Sequence, residues 1–211
     1  MNMRKYLEIA LKDLKKDVKQ MATLVVTNIH DALEAFKNSD KKLAGEIIKR
    51  DALVDELEDL IAKKAVEIIW REQPIAGDLR LVTGIYKLIT DLERIGDHAT
   101  DISLIVLKTD IVKEKRVMPK TTEMARVALK MVDNAVDAFL DVDTNLAKNT
   151  ILEDDIVDDL LDAIVNSTIK NIEKSNIDSK YSVNVLFIAK YLERVADHAT
   201  NICEWLLYIV N

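Results

Sequence analysis

Cysteine is nearly absent from this 211-residue chain: Cys203 stands alone, so no internal disulfide can form and a reducing compartment suits the sequence. Four glycines and two prolines disfavour a fold of many tight turns, and 32% charged residues favour long helices; almost no strand is expected. No apolar run approaches the ~20 residues that a bilayer-spanning helix needs, since the longest is Trp205 to Val210. Nothing near the N-terminus combines basic residues, an apolar run and a small-residue cleavage site, which points to the cytoplasm, with membranes reached only through partners. A concentrated basic stripe is also missing: the net charge is −7, and Lys12, Lys15, Lys16 and Lys19 lie beside Asp13 and Asp17 as a solvated face, so nucleic acid is not an expected partner. There is no Gly-rich phosphate loop and no Ser/His/Asp or Cys/His arrangement with local context. The Glu-x-x-His pair of ferritin-like bundles is missing too, because Gly96 follows Glu93 and Ala196 follows Glu193 at the third position.

What is present is a duplication. Leu92 to Ile102 reads LERIGDHATDI, and Leu192 to Ile202, one hundred positions later, reads LERVADHATNI, with eight of eleven residues identical. A gap-free match of this quality marks an internal repeat. Glu, Arg, Asp and His are retained in both copies, and the differences at Ile95/Val195 and Gly96/Ala196 are conservative packing changes; Asp101 becomes Asn201.

Helical periodicity predicts six helices in two triplets, an all-α pair of similar three-helix bundles. The first runs from about Arg4 to Phe36, the second from Lys41, capped by Asp40, to Trp70, and the third from about Ile75, opened by Pro74, to Lys108. The fourth is placed from Pro119 to about Ala147, the fifth from about Ile151 to Glu173, and the sixth from Ser179 to Ile209. A charged linker from Thr109 to Pro119 separates a first repeat over 1–110 from a second over 111–211. Helices of ~30 residues are about 45 Å long, so each triplet should be an elongated antiparallel bundle. Ile95, Ala99, Ile102 and Val106 form the core stripe of the third helix; Ile188, Val195, Ala199, Ile202 and Leu206 form that of the sixth. Gly96 and Ala196 are expected to face the core and allow close helix approach.

Residues four apart share a helix face, so Glu93 points with Asp97, and Glu193 with Asp197. By helical phase these carboxylates fall roughly opposite the core stripe. The middle helix of each triplet carries a matching pair at an offset of 103, Asp51 with Asp55 and Asp154 with Asp158. If neighbouring helices pack about 8 to 10 Å apart, four carboxylates meet in a groove in each half. Such a group must be held apart, protonated or neutralised by a cation. All-oxygen ligation suits Mg²⁺, Mn²⁺ or Ca²⁺. The competing reading is a solvated acidic face, which Asp154, Asp155, Asp158, Asp159 and Asp162 would equally serve. Arg94 and Arg194 read as ion-pair partners of neighbouring helices. His98 and His198 read as structural, about 100° round the helix from the acids and so not aimed at the same point as the acids. Trp70, Trp205, Tyr191 and Tyr208 read as packing or a subunit contact.

The run QPIAGDLRLVTGIYKLITDLERIGDHATDI, Gln73 to Ile102, resembles the hallmark of the PhoU family of phosphate-uptake regulators, and Tyr191 to Ile202 resembles its second copy. The resemblance implies a cytoplasmic all-α protein of two three-helix bundles, without enzymatic turnover and expected as a homodimer. It implies negative control of the phosphate-starvation response by contact with the phosphate ABC transporter ATPase and a sensor histidine kinase. It also implies multinuclear metal clusters, of iron or of another divalent metal such as zinc, manganese, magnesium or nickel. Their ligands would be Asp51, Asp55, Glu93 and Asp97, then Asp154, Asp158, Glu193 and Asp197. The second copy lacks the Gln73, Pro74 pair and has Asn201 for Asp101, so the two sites are expected to differ. A carboxylate-metal phosphoester hydrolase working in the same grooves, and a plain helical scaffold, are the competing readings.

Overall fold

The computed structural model describes residues 3–109, 119–173 and 179–210, and every described element is an α-helix. They are α1 (Met3–Asn38), α2 (Lys41–Glu72), α3 (Ala76–Lys108), α4 (Pro119–Asp141), α5 (Thr144–Leu152), α6 (Asp154–Glu173) and α7 (Ser179–Val210). α5 and α6 together are the counterpart of α2, interrupted at Glu153, whose backbone stays helical. The architecture is thus two similar three-helix bundles. The proposed division at residues 110 and 111, and most of the charged linker, lie outside the described residues.

The first turn of each bundle is built the same way. Asp40 accepts from the Leu43 N–H at 2.9 Å, and Asp143 accepts from the Asn145 and Leu146 N–H groups, both at 3.0 Å. The residue before each cap is left-handed, Ser39 at φ 55° and Val142 at φ 57°. Each cap satisfies N–H groups that a helix start otherwise leaves open. This second turn corrects the expected fourth helix: α4 stops at Asp141, well before Ala147, and the next helix starts at Thr144 instead of near Ile151. Between α2 and α3, Gln73 is left-handed at φ 47° and ends α2, and Pro74, which has no N–H to donate, keeps the chain from continuing.

α1, α2 and α3 pack on one another, as do α4, α5, α6 and α7, while α3 against α7 and α1 against α4 join the halves. The core stripes of α3 and α7 are fully buried as the periodicity demanded, from Ile95 to Val106 and from Ile188 to Leu206. Gly84 sits beside Trp205 and Ile209, Asp91 beside His198, His98 beside Tyr191, and Thr109 beside Asn184. These contacts make α3 and α7 antiparallel and place a pseudo-two-fold axis near Ile95 and Val195. The duplicated helices therefore form the central seam of the molecule. Among the described residues, no helix is long and apolar enough to cross a membrane.

Candidate functional site

Both acid pairs of each half do face one another across a helix pair. In the first groove α2 and α3 approach closely at Gly96, where a Cβ would lie 3.3 Å from Val54 Cγ1 and 3.7 Å from Asp51 Oδ1. The missing side chain brings Asp51 next to Asp97. Burial, then the fields of Asp55 and Asp97, push the Asp51 carboxyl above its ordinary range, with the Thr100 hydroxyl opposing. Glu93 is raised by burial and by Asp97, with Arg94 opposing and Glu58 and Asp55 adding to the rise. Glu58, one further turn along the Asp51, Asp55 face, is raised by burial and by Asp55 and Asp59, while Thr90 and Arg94 oppose.

The second groove is the more strained electrostatically. Asp154 is pushed up to about 6 by burial, then by Asp197, Asp158, Glu193 and Asp155. Asp197 rises through burial, Glu193 and Asp158, against Lys190 and His198. Asp51, Asp55, Glu93 and Asp97 thus form one coupled group, and Asp154, Asp158, Glu193 and Asp197 another.

Two expectations from the sequence need correction. Glu93 and Glu193 do not face away from the bundle: their side chains are 21% and 14% exposed, because they flank the core stripe and lean on the neighbouring helix, whereas Asp97 at 43% and Asp197 are exposed as expected. Arg94 does not bridge helices but folds back on its own, 3.3 Å from Glu93 and 3.1 Å from Asp97. In the second half Arg194 is exposed and Lys190 takes that place, ion-paired with Glu193. His98 and His198 meet each other. Their ring centres are 5.9 Å apart across the seam; His198 Nδ1 is 2.8 Å from Asp91 Oδ1, and His98 stacks on Tyr191 at 5.5 Å. Burial pushes the His98 pKa down, with Asp101 opposing and His198 reinforcing. Residues near a pseudo-two-fold axis meet their own duplicates, a consequence of antiparallel packing that one helix's phase cannot reveal.

The donors suit a cation in type. Glu193 Oε2 is buried without a hydrogen-bond partner, and so is the Thr200 hydroxyl. A buried acceptor left open is costly, and a cation or its bound water satisfies it. As the side chains stand, no three acidic, imidazole or thiol groups among the described residues are disposed to hold a metal ion. Binding therefore requires rotamer changes that draw the facing pairs together. Glu58 is the groove residue that the sequence reading missed, although its position seven after Asp51 puts it on the same face. It has no duplicate, because the equivalent place in α6 is Leu161.

The PhoU domain model matches residues 18–106 and again 121–206. The phosphate-specific transport system accessory protein PhoU homolog of Clostridium acetobutylicum is 31% identical over 98% of this chain and 95% of its own length. The crystal structure of PhoU from Pseudomonas aeruginosa superposes with a TM-score of 0.86 at 29% identity, covering 96% of this chain and 98% of that one. The phosphate transport system regulatory protein PhoU from Streptococcus pneumoniae gives the same TM-score at 27% identity, covering 97% of each chain.

Proposed function

The chain belongs to the PhoU family, and on that premise we propose that it restrains phosphate uptake and the phosphate-starvation response through protein contact. The proposed partners are the phosphate ABC transporter ATPase and a sensor histidine kinase, met in the cytoplasm by a homodimer of this chain. Its relatives are named as accessory and regulatory proteins of phosphate transport. The observation that carries the reading is the repeated family domain, whose two copies place equivalent acid grooves on either side of one seam.

The grooves are proposed to hold metal clusters, of iron or of another divalent metal. Asp51, Asp55, Glu93 and Asp97 would hold one, and Asp154, Asp158, Glu193 and Asp197 the other. A bound cation supplies positive charge that neutralises converging carboxylates. Glu193 Oε2, without a partner, is the ligand atom that such a cation would satisfy. The residues themselves set where the acids meet: Gly96 lets α2 and α3 close, Ala196 is buried at the equivalent place, and Arg94 or Lys190 holds one Glu in place. The role is adaptor rather than catalyst, because a regulator shifts a partner's equilibrium only as far as it prefers one of its states.

The test is co-purification of the chain with the transporter ATPase and the kinase from cells grown in high and in low phosphate. Recovery should differ between the two conditions, and a deletion should raise starvation-gene expression in rich phosphate. Equal recovery together with unaltered expression overturns the proposal. Phosphoester hydrolysis that disappears on replacing Glu193 and Asp197 would establish the enzyme reading instead.

A further inference from the structure

The two middle helices have parted in charge. α2 carries eight acids and seven bases, whereas α6 carries six acids, Asp154, Asp155, Asp158, Asp159, Asp162 and Glu173, against Lys170 alone. The bases of α2 at Lys49, Arg50, Lys63 and Lys64 become Leu152, Glu153, Asn166 and Ser167 at the offset of 103. In α2 three of those bases are paired: Arg50 meets Asp31 of α1 at 2.5 Å, Lys63 meets Asp59 at 3.4 Å, and Lys64 pairs with Asp17 of α1. Among the described residues no cation pairs with Asp155, Asp159 or Asp162.

Asp155, Asp159 and Asp162, at i, i+4 and i+7, form one stripe along exposed α6. Beside it run Leu152, Ile156 and Leu160; Leu152 is 67% exposed and Ile156 48%. The helix dipole favours Asp155 in the first turn, but its effect fades before Asp159 and Asp162. These like charges repel one another at helical neighbour spacing. None of the three belongs to the groove acids Asp154 and Asp158, which lie on the flank toward α7.

We propose that this acidic and apolar face of α5 and α6 docks a cationic amphipathic helix of a partner protein. Charge complementarity selects the occupant. A second copy would bring the same acids against themselves, and an anionic lipid surface would be repelled, whereas a helix bearing Lys or Arg beside Leu or Ile matches both stripes. The face of α2, with Leu53 and Leu60 exposed but its charges balanced, offers the apolar half alone. The inference stands on α6 and goes beyond the phosphate reading, so either can fail without the other.

The probe is a fluorescein-labelled helical peptide of leucine and lysine, titrated into the full chain and followed by anisotropy, with a leucine and glutamate peptide as comparator. The chain should bind the cationic peptide and not the acidic one, and binding should weaken as salt rises. Changing Asp155, Asp159 and Asp162 to Asn should weaken it by about tenfold or more, and Ile156→Ser should weaken it in high salt as well. Glu56→Gln with Asp59→Asn on α2 should leave it unchanged. Circular dichroism checks that each variant keeps its helices. Absence of binding by the parent, equal binding of both peptides, or an equal loss from the α2 variant overturns the proposal. So does a change in sedimentation of the Asn variant, which would make the face a contact between copies.

Discussion

Asp154 shows how one residue reports the state of its groove. In the folded chain its carboxyl holds a proton up to about 6, against 3.8 for an ordinary aspartate. Between those values the folded state binds more protons than the unfolded one, so metal-free stability falls as pH rises through that window. Asp154→Asn should therefore stabilise the metal-free protein at pH 7 by about 1 kcal/mol, once solvent screening of a half-exposed group is allowed for, and by nothing near pH 4. Urea unfolding of both proteins at the two pH values checks this; a constant difference would mean that the proton is not the cause. A bound cation reverses the sign, since it favours the charged carboxylates. Replacing Glu93 and Asp97 with Ala should then remove about half of the bound metal, leaving the second groove loaded. Elemental analysis of protein purified without a histidine tag measures it, and unchanged metal content would sink the first site.

At the scale of elements, the turn between α4 and α5 combines a good cap with a poor residue. Val142 is β-branched, 45% exposed and left-handed at φ 57°, a conformation that glycine adopts freely. Val142→Gly should stabilise the chain by about 1 kcal/mol, because relief of that strain exceeds the entropy glycine adds to the unfolded chain. In a domain this size that raises the melting temperature by roughly 2–4 °C; a lower one would mean that the valine packs in a way its exposure hides. This turn was also the chief miss of the sequence reading, which carried α4 on through it. The signal was present: Ala35, Phe36, Asp40, Leu43 and Ala44 recur as Ala138, Phe139, Asp143, Leu146 and Ala147. Aspartates and a valine without glycine or proline make a weak breaker, so only the repeat register exposes the turn. The helices were legible because their apolar stripes are continuous, and the acid pairs because they duplicate. The depth of the acids was not, since helical phase gives direction relative to one core and Glu93 leans between two helices.

For the whole molecule, the question is whether two similar bundles behave as two bodies or one. The seam answers through a close contact at Gly84. A Cβ on Gly84 would lie 2.7 Å from Phe139 Cζ and 3.1 Å from Ile209 Cδ1, so α3 of the first half is pressed against α4 and α7 of the second. Around it, Lys87 Nζ lies 5.8 Å from the Trp205 ring centre, Lys19 meets Asp137 at 2.8 Å, and His198 meets Asp91. The duplication announced two lobes that could share a core, but not which helices meet at this seam, because an antiparallel meeting of duplicates leaves no local pattern in either copy. Contacts so distributed should couple the halves into one cooperative transition. In the Trp70→Phe variant, Trp205 fluorescence follows the seam and the second half, while far-ultraviolet circular dichroism follows every helix; Trp70 is 75% exposed, so its loss should cost little. The two unfolding curves should coincide. Gly84→Ala should destabilise by about 1–3 kcal/mol through overpacking, in spite of alanine's better helix propensity, and should shift both curves together. Separated midpoints, or a Gly84→Ala shift confined to one probe, would show that the halves unfold independently and that the seam joins them without coupling them.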